Sequence, residues 1–134
     1  MRENPRMTYT IANMKDIDDA AVGYGLSPDL EARFGRGPLD CEQMGFSYQR
    51  YAPGYRTFAH RHRVQEEVCV VVGGSGRIKV DDDVHPLQRL DVIRIGPGST
   101  RAMEAGDDGL EVMIFGAPQT PPGDADIIED WWTD

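Results

Sequence analysis

The fold of this chain is decided by the stretch Gly54–Gly76, which reads GYRTFAHRHRVQEEVCVVVGGSG. Side chains of a β-strand alternate between its two faces, so His60 and His62 are expected to share one face with Phe58. A pair of glutamates follows at the start of the next apolar run. Two imidazoles and a carboxylate are the ligand set of a divalent transition metal with open coordination positions. The same groups also suit a buried polar cluster that binds a small ligand without a metal.

Length and cysteine content favour one domain in a reducing compartment. The chain has 134 residues, which is enough to bury a core without covalent staples. Its two cysteines, Cys41 and Cys69, do not suggest a disulfide framework. Residues 1–19 are polar and unlike a signal peptide, and no apolar run approaches the roughly 20 residues that span a bilayer. We therefore expect a cytoplasmic protein without a membrane partner.

The charge balance disfavours nucleic acid as a partner. The formal net charge is -9, from 23 acidic and 14 basic residues. A surface this acidic repels phosphate backbones and anionic lipids. We read the acidic runs as solvated faces and turns.

The pattern after Cys41 predicts an all-β fold. Short apolar or alternating segments follow one another, separated by Gly, Pro and Asp clusters that are typical of turns. The segments that share this pattern are 45–51, 56–62, 66–72, 77–80, 84–87, 91–95, 100–104 and 110–115. Eight short strands at this spacing predict a small antiparallel β-barrel or jelly roll over residues 41–116.

Residues 1–40 and 117–134 are expected to form an irregular N-terminal arm with short strands, which lies against the barrel or a second subunit, and a C-terminal tail. In the arm, 16–22 suits a short helical turn, while Ser27 as N-cap and Pro28 at the first helical position predict a helix over 27–34. The tail carries Trp131 and Trp132, whose large apolar areas rarely stay in water. We expect the two tryptophans to pack outside the barrel or across the boundary of a homodimer.

The spacing of Gly54, His60, His62, Glu67 and Gly74 resembles the first motif of the cupin family. The resemblance implies a small β-barrel, often a homodimer, that holds a metal with two histidines, a glutamate and a final histidine. Counting back from Gly74 selects Glu67 rather than its neighbour as the inward carboxylate.

The second cupin motif is degraded. Asp91 and the run Gly96-Pro97-Gly98 resemble it, but Leu90 stands where the family usually has Gly, and Arg101 stands where it has the last histidine. The guanidinium group of arginine remains protonated and does not ligate metals. The resemblance therefore implies a site that lacks its fourth protein ligand.

Two functions remain open at this point. In the first, the barrel binds a small carboxylate-bearing molecule, Arg101 pairs with Glu67, and Cys69, Met103 and Phe58 form the wall of the pocket. Any metal site would then be weak.

In the second, His60, His62 and Glu67 bind Fe, Mn, Ni or Zn as a facial triad, and the protein is a metal-dependent enzyme, most simply a dioxygenase. Arg101 would then orient the carboxylate of the substrate.

Overall fold

Antiparallel strands build most of the molecule. The computed structural model describes residues 8–117 and 123–134. Within these residues, one curled antiparallel sheet has eight strands: β1 (Leu30–Phe34), β2 (Gly45–Tyr51), β3 (Ala59–His62), β4 (Glu67–Val80), β5 (Asp83–Gln88), β6 (Val92–Ile95), β7 (Arg101–Gly116) and β8 (Ala125–Ile128). The predicted all-β barrel or jelly roll is confirmed.

The two longest strands, β4 and β7, are the central pair of the sheet. β4 and β7 pair with each other along most of their length, and each replaces two short predicted strands. The glycines predicted to form a turn between segments 66–72 and 77–80 instead produce register shifts within β4. Gly74 has φ +70°, and a Cβ there would lie 2.1 Å from the carbonyl oxygen of Gly109. The glycine cluster therefore bends a continuous strand rather than ending it.

The hydrophobic core lies between the paired strands β4 and β7 and the strands next to them. Its most deeply buried side chains come from β2, β4 and β7, and they include Tyr51, Val71, Ile78, Leu110 and Val112. The hairpin predicted around the aspartate run is present, since β5 returns along β4 with Val80 opposite Asp83.

The N-terminal arm contains a short strand, as expected, but it lies in the segment for which a helix was predicted. Short helical turns occur at η1 (Met14–Asp16) and α1 (Ala20–Gly23), close to the predicted turn. The helix predicted over 27–34 is wrong, because Leu30–Phe34 pairs in register with β2. This pairing buries Ala32 and allows Glu31 to bind three cationic side chains, which outweighs the local helix signals. None of the described helical segments has the length and apolar character needed to cross a membrane.

The C-terminal tail packs on the barrel of its own chain. β8 pairs with β3, so the sheet extends beyond residues 41–116 at both ends, while the division into arm, barrel and tail stays a prediction. The ring of Trp131 lies 4.6 Å from the Nζ of Lys79, and Trp132 lies against Arg56 and Arg77 at about 5 Å. Packing outside the barrel accounts for both tryptophans, and the homodimer remains a prediction.

Candidate metal and ligand-binding site

A cavity of about 340 Å³ opens inside the barrel. One end is polar, and most of its wall is apolar. The seven residues that the sequence assigned to a pocket or metal site all line it: Phe58, His60, His62, Glu67, Cys69, Arg101 and Met103. Their convergence is thus observed, and their binding roles stay proposals.

The polar end is built where β3, β4 and β7 meet. His60 and His62 lie on β3, and Glu67 is the first residue of β4. Nitrogen or oxygen atoms of these three side chains all lie within 4.8 Å of one another. The two imidazole rings stand edge to face, with their centroids 5.1 Å apart. Two nitrogen donors and one oxygen donor therefore converge on one small space.

Arg101 closes this cluster from the first residue of β7. It lies opposite His60 in the register, and its side chain is almost fully buried, at 3% exposure. Its Nη2 donates a hydrogen bond to Glu67, and its Nη1 donates to the carbonyl oxygen of Ser99 at 3.2 Å. The expected ion pair between Arg101 and Glu67 is present. It keeps both charges compensated inside the barrel.

Glu67 rather than Glu66 faces the cavity. Glu66 points to solvent and pairs with Arg94 at 2.9 Å on the outer surface. The alternation of β4 explains this difference, since the buried Cys69 lies two residues beyond Glu67. The spacing to Gly74 therefore selected the inward glutamate.

His60 is neutral near physiological pH. Burial and the nearby guanidinium of Arg101 lower the pKa of its imidazole to about 4. A neutral imidazole has one nitrogen lone pair available to accept a hydrogen bond or to bind a metal.

Cys69 and Met103 form part of the buried wall. Burial, together with the negative charge of Glu67, raises the pKa of the Cys69 thiol to about 12. A thiol with this pKa is protonated and unreactive at neutral pH. Phe58 also lines the cavity, but this residue is 62% exposed to solvent.

One residue of the cluster was not found from the sequence. Oδ1 of Asp124, in the tail, lies at hydrogen-bonding distance, 2.7 Å, from Nδ1 of His62. Burial raises the pKa of this carboxyl, but hydrogen bonds from His62 and from the backbone of Val64 and Gln65 outweigh burial and lower it to about 2. No motif links positions so far apart in the chain, and Asp124 stands among other acidic residues of the tail. Only the pairing of β8 with β3 brings it to the site.

The donors present fit a divalent transition metal in type and in spacing. Two imidazoles and one carboxylate would hold the ion and leave positions for other ligands. Arg101 opposes this arrangement, since its cation lies beside the carboxylate that the metal would need. The site thus combines a possible metal triad with a built-in competing charge.

Solved structures with the same fold include several cupins. A cupin protein from Bacteroides fragilis has 22% identity and a TM-score of 0.63, covering 87% of this chain and 86% of its own. Oxalate decarboxylase from Bacillus subtilis has 19% identity and a TM-score of 0.72, and the match covers 91% of this chain but 34% of that one. A variant of salicylate 1,2-dioxygenase from Pseudoaminobacter salicylatoxidans, in complex with gentisate, has 14% identity and a TM-score of 0.66, over 82% of this chain and 33% of that one.

At these identities the likenesses show the fold alone. No curated protein matches the sequence. The family model described as a cupin domain matches residues 47–115, which is more than half of the chain. This protein therefore belongs to the cupin family.

Proposed function

We propose that the protein binds a small carboxylate-bearing molecule in its barrel cavity and holds a divalent metal there weakly or not at all. The observation that carries the proposal is the buried guanidinium of Arg101 at the polar end of an otherwise apolar cavity. A buried arginine is well suited to bind a carboxylate through paired hydrogen bonds.

Arg101 has hydrogen-bonding capacity beyond its contacts within the barrel. A guanidinium carries five N–H donors. The bonds to Glu67 and to the carbonyl oxygen of Ser99 occupy one on each terminal nitrogen. This leaves three N–H donors for the carboxylate of a ligand that enters beside His60. A carboxylate bound there would share the guanidinium with Glu67.

The rest of the cavity suits the apolar part of such a ligand. Tyr55, Ile95, Met103 and Ile114 line the wall, and the volume lies at the lower end of the range for small-molecule pockets. An aromatic ring or a short branched chain attached to the carboxylate would fill this space.

Calorimetric titration with benzoate and benzamide tests the proposal, because the two probes share a ring and differ in charge. We expect benzoate to bind and benzamide to bind about tenfold more weakly or worse. In Arg101→Gln, the affinity for benzoate should fall by about tenfold or more.

Arg94→Gln is the matched control, because Arg94 also pairs with a glutamate but lies on the outer surface. It should leave the binding of benzoate unchanged. Equal binding of benzoate and benzamide, or an equal loss in both variants, would contradict the proposal.

The second candidate is a metal-dependent enzyme, most simply a dioxygenase. It is favoured by the convergence of His60, His62 and Glu67 within 4.8 Å. A redox-active metal bound there would supply the oxygen chemistry, and Arg101 would orient the substrate. Metal analysis of protein purified without added metal or chelator separates the candidates. A stoichiometric transition metal would favour the enzyme, and a metal content near zero would favour the binding protein.

A further inference from the structure

The carboxylate of Asp124 is fixed in place from several sides. Its Oδ2 accepts hydrogen bonds from the backbone N–H groups of Val64 at 3.0 Å and Gln65 at 2.9 Å. Its main-chain carbonyl accepts another from the backbone of Arg63 at 3.1 Å. The side chain is 1% exposed. It therefore has no freedom to turn away from the residue that its other oxygen contacts.

That other oxygen, Oδ1, lies 2.7 Å from Nδ1 of His62, which is itself buried. A carboxylate is only an acceptor, so Nδ1 must carry the hydrogen that forms this bond. In the neutral imidazole the opposite nitrogen, Nε2, then has a free lone pair. Nε2 is the atom that faces the cluster, 3.5 Å from an oxygen of Glu67.

We propose that Asp124 is a positioning residue, which holds His62 in the Nδ1–H tautomer and directs the Nε2 lone pair into the cavity. Carboxylates that bond the second nitrogen of a histidine fix ring orientation and tautomer in this way at many polar sites. The C-terminal tail is then part of the site, since β8 pairs Ala125 with His62 and sets Asp124 beside the ring.

The inference rests on the proposed function only in assigning His62 to the ligand-binding end of the cavity. An Nε2 lone pair there can accept a hydrogen bond from a ligand or bind a metal. The opposite tautomer would direct an N–H group into the same space. The tautomer of His62 can be measured without ligand or metal. A wrong tautomer prediction is therefore distinguishable from a failure of the protein to bind a carboxylate.

The test is NMR of the native protein at pH 8 with nitrogen-15-labelled histidine, in which correlations from the ring nitrogens to the ring C–H protons report the tautomer. The chain has three histidines, so few signals need assignment, and His62→Gln identifies those of His62. We expect a hydrogen on Nδ1 of His62, facing Asp124, and none on Nε2. Protonation on Nε2, or on both nitrogens, would overturn the proposal.

Asp124→Asn makes the test sharper. The side-chain oxygen of the asparagine should still accept the hydrogen bonds from the two backbone N–H groups. The flipped amide would place its NH₂ donors against these buried N–H donors, which is unfavourable. Its NH₂ group would then donate to Nδ1 of His62, and the ring hydrogen should move to Nε2. A spectrum of His62 unchanged from the native protein would contradict the inference.

Asp126→Asn is the matched control, since Asp126 lies two residues further along the chain, within β8. Asp126 is partly exposed and faces Arg61 and Arg63, with the carboxylate 3.6 and 3.9 Å from their Nε atoms. The substitution Asp126→Asn should leave the tautomer of His62 as it is in the native protein. If Asp124→Asn does not fold, the native spectrum alone decides, since Nδ1–H supports the inference and Nε2–H overturns it.

Discussion

Arg101 donates a hydrogen bond to Glu67 inside the barrel, at the point where the cupin motif would place a fourth metal ligand. The pair brings opposite charges together in a space that also contains His60 and His62. The carboxylate that a divalent metal at this cluster would need is therefore already the counter-ion of Arg101. Most of the expected behaviour of the site follows from this competition.

Glu67→Gln should destabilise the protein, because it removes the counter-ion of a buried guanidinium. We expect the free energy of unfolding to fall by about 2–3 kcal/mol, as is typical when one partner of a buried pair is lost. Urea denaturation gives this value. Glu66→Gln, which breaks the exposed pair with Arg94, should cost under about 1 kcal/mol. Equal effects of the two substitutions would show that the inner pair is not buried as described.

The acid sensitivity of the fold should depend on Glu31. Burial raises the pKa of this carboxyl, but hydrogen bonds from Lys15, Arg33 and Arg50 outweigh it and lower the pKa from 4.5 to about 2. A lowered pKa in the folded state stabilises the fold above pH 4.5, and this contribution is lost as the pH falls from 4.5 toward 2.

Denaturation of Glu31→Gln over this pH range tests the assignment. The variant should be less stable than the native protein at pH 7, and the difference should shrink as the pH approaches 2. A difference in the free energy of unfolding that stays constant with pH would contradict the lowered pKa of Glu31. Glu66→Gln, which removes an exposed carboxylate, serves as the control for the loss of one surface charge.

Gly74→Ala should be strongly destabilising, because the bend of β4 needs a positive φ and a close approach to Gly109. A Cβ at 2.1 Å from a backbone oxygen requires the strands to separate, so we expect a loss of about 2 kcal/mol or more in the free energy of unfolding. Gly37→Ala is the control, since a Cβ there meets nothing within 4 Å. A thermal melt of Gly74→Ala that matches the native one would argue against a fixed bulge.

The sequence was sufficient for the local features of the site and insufficient for its distant ones. Strand alternation predicted the face of each side chain, and the resemblance to the cupin motifs implied that His60, His62, Glu67 and Arg101 converge from three strands. Asp124 could not be found in this way, since the pairing of β8 with β3 alone brings it to His62.

The errors in secondary structure have the same origin. Ser27 and Pro28 are good helix-start residues, yet segment 30–34 gains more by pairing with β2 and burying Glu31 among three cations. The glycine-rich segment of β4 was expected to end a strand. Its pairing with β7, which is non-local, carries the strand through the bend instead.

Calorimetric titration of Zn²⁺ into metal-free native protein, Arg101→His and Arg101→Ala measures whether Arg101 competes with a metal for Glu67. Arg101→His removes the competing cation, frees Glu67 and adds a nitrogen donor, so its affinity should exceed that of the native protein by about tenfold or more, worth about 1.4 kcal/mol. Arg101→Ala removes the repulsion without adding a ligand and should gain less. We expect weak or no binding of Zn²⁺ by the native protein, and affinities that rise from the native protein through Arg101→Ala to Arg101→His. Tight binding by the native protein, with no gain in Arg101→His, would contradict this expectation and favour the facial-triad enzyme.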